Sequence, residues 1–350
     1  MFSIMRISIY VPIAALAAVL LIAPIAAAAE FTDRVRTTGG SNAGQITASS
    51  PLEITLDKGT TGPVQIPVNQ IRSVLLDKEP AELTQARLNA KNGGYATALQ
   101  RLKQIDVSKI DRDLVREDVD FYLAYCAAQQ ALAGQGEVTD AGRKLNEFVR
   151  KHPQNFHYLE AVETMGDLLM AAGKYPAAQR QYGELAKAPW PDYKLRAGVL
   201  MGRTLQAQGK HQEAIRMFDT VLAANDSSVA GKEQKLSASL AKAVSLSASN
   251  ELDQAVGLIE QMILDTDPEQ KELQARAYNA LGNSYEQAGR TKDALLAYLH
   301  VDVLYSTVPD AHAEALSHLA TLWDSVGQSN RARDAKQMLN DKYGGSRWAK

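Results

Sequence analysis

The chain has one cysteine, few aromatic residues and almost no net charge, and each shortage excludes a class of protein. Among 350 residues Cys126 is the single cysteine, which rules out an intramolecular disulfide and a zinc site built from cysteines alone. A formal charge of -2 supplies no concentrated basic surface for general nucleic-acid binding. Six Phe and three Trp, set among abundant helix-forming residues, favour helices over a large β core.

Long apolar runs are also absent, except at the N-terminus, where the uncharged residues 7–29 follow Arg6. A basic residue, an apolar stretch and small residues at Ala27 and Ala29 form the pattern of a secretory signal peptide. We therefore expect residues 1–29 to be a signal peptide that is cleaved after Ala29, so that the mature protein is exported. The alternative is an uncleaved N-terminal helix that anchors the protein, because 23 apolar residues can span a bilayer.

Residues 30–77 differ in composition from the rest of the chain and predict a small β module. Turn compositions such as TTGGSNAG and DKGTTGP separate short apolar patches, so five strands of an antiparallel barrel or curled sheet are expected. The segment resembles the small barrels of the SH3 and Sm type. Residues 30–80 hold five basic and six acidic residues, which favours a docking or capping module over RNA binding. The apolar patches centre on Val35, Ile46, Ile54, Ile66 and Val74.

Residues 81–343 repeat one pattern, in which a Gly or Asn precedes an alanine by five residues. The interval between successive alanines is 36 to 43 residues, which indicates an array of supersecondary units. Gly and Asn accept the left-handed backbone that ends a helix, so each unit is predicted to be helix, tight turn, helix. The turn residues are Gly93, Gly136, Gly173, Gly209, Asn250, Gly289 and Gly327. The aligned alanines are Ala98, Ala141, Ala178, Ala214, Ala255, Ala294 and Ala332.

The unit NALGNSYEQAGRTKDALLAYLHV carries the clearest copy of this pattern, with Gly282, Tyr285, Gly289, Ala294 and Tyr298 in register. It resembles the tetratricopeptide repeat, in which small residues allow two helices to pack closely and aromatic residues fill the interface. The resemblance implies a mainly α fold: an α-α superhelix of about seven helix pairs behind the β module, with residues 344–350 as a C-terminal tail. The repeat positions expected to be structural are Gly173, Ala178, Gly209, Ala214, Gly289 and Ala294.

Two further phrases are similar to periplasmic bacterial repeat proteins that act in outer-membrane assembly or in the Tol cell-division system. They are the F-x-x-x-H-P pattern that ends at Pro153 and the closing LNDKYGGSRW. The resemblance implies a periplasmic, non-enzymatic scaffold or adaptor of the cell envelope. Its partner would be a protein or peptide, without nucleic acid or a small-molecule substrate, and membrane contact would require residues 1–29 to be retained. A membrane-anchored assembly factor and an enzyme with its activity in the β module are the alternatives.

No constellation of residues predicts catalysis. The G-x-S-x-G, P-loop and H-E-x-x-H patterns are absent. His152 and His157 lie five residues apart across Pro153, which is poor spacing for one metal ion, so we interpret them as solvated joint residues. Cys126 lies in the apolar run FYLAYCAAQQALAG and is interpreted as a core residue. We therefore expect no enzyme activity, no cofactor and no metal.

The resemblance implies that the first helices of successive units line a concave groove that binds a peptide or a partner helix. Amides can donate to and accept from a ligand backbone, and arginines can grip a carboxylate. The third unit adds an acidic patch, Glu160, Glu163 and Asp167. The alternative is that all these positions are solvated helix faces. The predicted partner-binding residues are Arg196, Arg203, Arg276, Asn279 and Asn283.

Overall fold

The computed structural model of the chain describes residues 32–349, so the predicted signal peptide at residues 1–29 lies outside the described residues. Within them, five strands precede fourteen α-helices, which confirms the predicted fold class. The strands are β1 (Asp33–Thr37), β2 (Gly40–Ser49), β3 (Glu53–Asp57), β4 (Pro63–Pro67) and β5 (Ile71–Leu75).

The helices form seven antiparallel pairs along residues 81–343, each with a first and a second helix. The first helices are α1 (Ala81–Lys91), α3 (Asp113–Leu132), α5 (Tyr158–Ala171), α7 (Pro191–Ala207), α9 (Val229–Ala248), α11 (Lys271–Gln287) and α13 (Pro309–Ser325). The second helices are α2 (Tyr95–Leu102), α4 (Val138–Lys151), α6 (Tyr175–Leu185), α8 (His211–Ala223), α10 (Leu252–Asp265), α12 (Thr291–Leu304) and α14 (Ser329–Tyr343).

The five strands form one antiparallel sheet in the order β4-β3-β2-β1-β5, and every predicted apolar patch lies on one of them. Ile54 of β3 pairs with Ile66 of β4 and is fully buried. Gly44 allows β2 to approach β3, because a Cβ atom there would lie 2.3 Å from the Asp57 carbonyl oxygen. Prolines at both ends of β4 limit pairing at that edge of the sheet.

The sheet lies along the edge of the array where the first helices begin. Asp33, fully buried on β1, accepts two hydrogen bonds of 2.5 and 2.6 Å from the Arg112 guanidinium just before α3. Ser49 Oγ accepts from the backbone N–H of Phe156, just before α5, at 3.0 Å. Asn69, between β4 and β5, reaches Asp192 of α7 at 3.5 Å, the upper limit for a hydrogen bond. The β segment therefore spans the starts of three first helices as well as leading into α1.

One hydrophobic core joins the β segment to the first helix pairs. Val35 and Leu56 from the sheet, Leu83 from α1 and Val119 from α3 are fully buried in the same cluster. Cys126 belongs to it, which confirms the core assignment, and burial raises the pKa of its thiol to about 12. Residues 30–77 and the repeats therefore do not have separate cores.

Left-handed residues end six first helices at the predicted positions, but the second pair differs. Asn250 has a φ of 64°, whereas in the second pair the left-handed residue is Gly134 and not the predicted Gly136. The backbone N–H of Gln135 donates to Gln130 O at 2.8 Å, which completes the cap at Gly134. Five residues separate α3 from α4, against three between α5 and α6, so the aligned glycine lies beyond the cap.

Glycines of three first helices receive an aromatic ring from the second helix of the same pair. A Cβ atom at Gly166 would lie 2.3 Å from the Tyr182 ring, and one at Gly282 would lie 2.7 Å from the ring of Tyr298. Gly202 faces Phe218 in the same way. Ala178, Ala214 and Ala294, one turn before these rings, are fully buried. The small residues thus permit the close approach of the two helices.

Residues 347–349 fold back onto the last helix pair. A 3₁₀ turn at Arg347–Ala349 packs against α13 and α14. Trp348 Nε1 lies 3.3 Å from Asp310 Oδ1, and its ring centroid lies 6.2 Å from that of His318. This turn covers part of the exposed end of the array.

Candidate peptide-binding groove

The first helices form the inner wall of the array. Contacts join α1 to α3, α3 to α5, α7 to α9, α9 to α11, and α11 to α13. Within residues 32–349 no two second helices meet to a comparable extent. Helices that approach one another more closely lie on the concave side of a curved stack, so the first helices line the groove.

Charged residues on the N-terminal part of this wall form ion pairs with one another. The Arg87 guanidinium of α1 binds Glu79 at 2.7 Å and Asp118 of α3 at 2.5 Å. Asp118 also lies 3.0 Å from His157 Nε2, whose Nδ1 is 3.1 Å from Glu160. Burial opposes ionisation of Asp118, but Arg87 and His157 outweigh it and hold its pKa below the ordinary value.

The two joint histidines are not solvated, contrary to the sequence interpretation. Their side chains are only 10% and 11% exposed at His152 and His157. The ring of His157 stacks on Phe121 with centroids 3.8 Å apart, and His152 Nε2 lies 3.0 Å from Asp120. The interpretation was wrong because the turn between α4 and α5 folds inward against α3. Within residues 32–349, no group of three or more His, Cys, Asp or Glu residues is suited to hold a metal ion.

Between α5 and α7 the predicted acidic and basic rows meet in an ion pair. Arg196 donates to Glu163 Oε1 from Nη2 at 2.6 Å and from Nε at 2.9 Å. Burial raises the pKa of Glu163 to about 7, and the nearby charges of Asp167 and Glu160 add to this effect while Arg196 opposes it. Arg196 is therefore engaged within the protein.

Of the two predicted asparagines, only one is exposed in the groove. Asn279 is 3% exposed, and its Nδ2 donates to Ala311 O at 2.9 Å and to Glu314 Oε2 at 3.0 Å. The expectation that Asn279 is exposed is wrong, because its position faces the next first helix, α13. Asn283 is exposed and its Oδ1 accepts from Gln287 Nε2 at 2.6 Å. The prediction that Asn283 binds a partner remains a prediction.

Arg203 and Arg276 are exposed on α7 and α11. Among the described residues, Arg203 has no hydrogen bond or ion pair. Desolvation of the guanidinium in the groove lowers its pKa and the charge of Arg276 lowers it further, which together outweigh the opposing effects of Asp167 and Tyr182. Arg276 pairs with Glu272 on its own helix at 2.9 Å, and both side chains are more than half exposed. Such a pair contributes little stability.

An aromatic pair lies at the start of α7. The half-buried Trp190 meets Tyr193 edge to face, with ring centroids 5.0 Å apart. Tyr193 comes one turn before Arg196, and burial raises its pKa to about 12. The signal in the sequence is the WPDY string, in which Pro191 starts the helix and brings both rings to its first turn.

Comparison with known proteins agrees with this geometry. The sequence pattern described as "Tetratricopeptide repeat" matches residues 199–271 and 240–302. Together these two matches span residues 199–302. A search of curated proteins finds no match in sequence. No helix within residues 32–349 combines the length and apolar character that crossing a membrane requires.

Solved structures show that the tetratricopeptide-like fold extends beyond the matched residues. A tetratricopeptide repeat protein from Parabacteroides merdae superposes with a TM-score of 0.52 at 16% identity, covering 75% of this chain and 92% of its own. The apo form of RapI superposes with a TM-score of 0.53 at 11% identity, covering 75% of this chain and 97% of its own. At these identities the likeness concerns the fold alone.

Proposed function

We propose that this protein is a non-enzymatic scaffold or adaptor of the bacterial cell envelope, which binds a peptide or partner helix in the groove of its first helices. Tetratricopeptide repeats in general serve protein-protein interaction, which supports a protein partner. The observation that carries the proposal is that the inner wall presents side chains that make no bond within the described residues or that stay exposed. Arg203 has no bonded partner among the described residues, and Val244 of α9 is 52% exposed.

The proposed cellular location rests on the sequence of residues 1–29 alone. Their basic start, apolar run and small residues before Glu30 support export with cleavage after Ala29. The N-terminus of the protein purified from cells, determined by mass spectrometry, tests this directly. A start at Glu30 supports an exported protein, whereas retention of residues 1–29 supports the membrane-anchored assembly factor.

A blocking substitution in the groove tests the proposed binding mode. Val244→Lys places a long charged side chain on the inner wall, while Val229→Lys makes the same change at the 77% exposed first residue of the same helix. We expect partners cross-linked from an envelope extract by the unchanged protein and by Val229→Lys to be lost with Val244→Lys. Circular dichroism verifies that both variants remain helical. Identical partner sets for all three proteins would contradict binding in the groove.

A further inference from the structure

The outer face of α12 is apolar, although the second helices lie on the solvent-facing side of the array. Leu296, Val303 and Leu304 are 58%, 70% and 57% exposed. Because a helix has 3.6 residues per turn, Leu296 and Val303 lie almost in line along α12, with Leu304 to one side. Between them, His300 Nδ1 lies 2.8 Å from Leu296 O, and the imidazole stacks on Tyr278 of α11 with centroids 4.6 Å apart. Thus α12 carries apolar side chains on its exposed side as well as on its buried side.

The other helix pairs show that folding does not require apolar residues at these positions. The position of Leu296, two residues after the aligned alanine, is exposed in all seven pairs. Seven residues later, where α12 has Val303, other pairs also carry exposed charges. The equivalents of Leu296 are Gln100, Arg143, Arg180, Arg216, Gly257 and Asp334, and the charged equivalents of Val303 are Arg150, Lys187 and Asp341. The apolar outer face of α12 is therefore not a packing requirement of the repeat.

The neighbouring second helices extend this apolar surface. On α10, Leu264 occupies the position that corresponds to Val303 and is exposed, and on α14 the exposed Met338 corresponds to His300. Burying one large aliphatic side chain contributes about 1.5–3 kcal/mol, and contiguous exposed apolar surfaces mark sites of association. Three successive second helices thus present apolar side chains that a covering surface would stabilise.

The charges at the ends of α12 favour a second copy of the chain as the covering surface. Lys292 is exposed in the first turn of α12 and makes no side-chain bond among the described residues, while the last turn contains no basic residue. A positive charge is unfavourable near the N-terminus of a helix and favourable near the C-terminus. If two α12 helices pair antiparallel, Lys292 of each copy lies beside the last turn of the other. The face is therefore complementary to itself about a two-fold axis through the middle of the helix.

The size of the face sets the strength of such an association. Helix α12 has 14 residues and is therefore about 21 Å long. With helices spaced about 10 Å apart, the surface shared by α10, α12 and α14 covers about 400–600 Å² of each copy. A stable interface buries about 800 Å² per partner, so an interface of this size is weak and reversible.

We propose that two copies of this protein associate through the outer faces of their α12 helices, antiparallel about a two-fold axis near His300. Leu296 and Val303 of one copy then pack against the same residues of the other. The inner wall of first helices lies on the opposite side of the array, so association leaves both grooves open. The dimer therefore presents two grooves to one target, which raises the overall affinity for a target with repeated binding segments.

Sedimentation velocity of the protein purified from cells, between about 1 and 100 μM, tests the association. Leu296→Arg gives α12 the residue type that α4, α6 and α8 already carry at this position, so the variant should fold, and we expect it to weaken the dimer at least about tenfold. Lys292→Glu should also weaken the dimer, although Glu suits the N-terminus of its own helix. Val229→Lys changes an equally exposed apolar residue at the start of α9 and should leave the dimer unaltered. Circular dichroism verifies the fold of each variant.

Disulfide cross-linking under mild oxidation tests the geometry of the pair. Cys126 is buried, so an introduced cysteine supplies the reactive thiol. We expect His300→Cys, near the axis, to link two chains, whereas Lys292→Cys should not, because the two thiols would lie about 24 Å apart. A single-chain mass at every concentration, unaltered association of Leu296→Arg, or linkage through Lys292→Cys alone would overturn the proposal. A single-chain protein whose captured partners depend on Leu296 would assign the face to a different protein and overturn it as well. None of these results affects the groove, whose test uses Val244.

Discussion

The two halves of the inner wall differ in how they use charge. From α1 to α5, arginine, histidine and carboxylate side chains form buried pairs that also hold the start of the array together. From α7 to α13, first helices are joined by neutral contacts such as Ser247 to Ser284 and Gln206 to Ser245 and by the half-buried pair of Glu286 with His318, while Arg203 has no bonded partner among residues 32–349. The comparison teaches that charges used by the fold can be distinguished from charges available to a ligand by whether a partner already lies within the chain.

The largest effect is expected at the centre of the paired half. Asp118→Ala would leave Arg87 and His157 partly unpaired in a buried setting, so we expect unfolding to become easier by about 3–5 kcal/mol. Chemical denaturation followed by circular dichroism measures this loss. Asp113→Ala is the control, since Asp113 lies on the same helix and is 82% exposed. Equal effects of the two variants would remove the distinction between buried and exposed pairs.

In the C-terminal half, helix packing should contribute more to the free energy of unfolding than ion pairs do. Gly282→Ala would place a Cβ atom 2.7 Å from the Tyr298 ring, so we expect a loss of about 1–3 kcal/mol in unfolding free energy. Gly257→Ala on α10 meets nothing within 4 Å and should instead stabilise by about 0.5–1 kcal/mol. Thermal and chemical unfolding of the two variants measure the expected loss at Gly282 and the expected gain at Gly257. Stabilisation by Gly282→Ala would contradict the tight helix crossing.

Asn279 and Asn283 should differ in their contributions to stability, because their contacts differ. Asn279→Ala removes the amide that donates to Ala311 O and Glu314, so we expect a loss of about 1–2 kcal/mol. Asn283→Ala, at an exposed position, should change stability by less than about 0.5 kcal/mol. Denaturant midpoints measured side by side decide the matter. A larger loss of stability for Asn283→Ala than for Asn279→Ala would contradict the assignment of Asn279 as the structural residue.

The last prediction concerns pH, at the border between the halves. Because the pKa of Glu163 is raised to about 7 from an unfolded value near 4.5, the folded state binds more protons in this interval. Stability should therefore fall as pH rises from about 4.5 to 7. Glu163→Gln should flatten that part of the profile, whereas Glu184→Gln, at an exposed residue of α6, should leave it intact. Melting temperatures across the interval provide the test.

Local signals made most of the fold predictable. Strands follow from alternating apolar residues between turns, and the helix pairs follow from a Gly or Asn that must adopt a left-handed backbone. Where two candidates stood close together, at Gly134 and Gly136, the repeat alignment selected the wrong glycine, because it assumed equal loop lengths. A repeat period does not reveal the length of an individual loop.

The groove was less predictable, because it depends on how far apart neighbouring first helices lie. The register that points Arg203 into the groove also applies to Asn279, yet α13 covers Asn279. The contact of Asn69 with Asp192 joins residues 123 positions apart, and no repeat pattern contains it. Such pairings follow from three-dimensional packing and have no local sequence signal.

The position of the β segment also has a mechanical consequence. A stack of repeats bends and twists easily when only nearest neighbours resist deformation. The sheet adds longer-range ties from Arg112, Phe156 and Asp192 to a common support, so twisting among α3, α5 and α7 would have to break them. These three ties end at α7, so we expect the later repeats to adjust more easily than the first ones. The array is therefore supported at its N-terminal end by the sheet, and its greater freedom to bend lies from α9 onward.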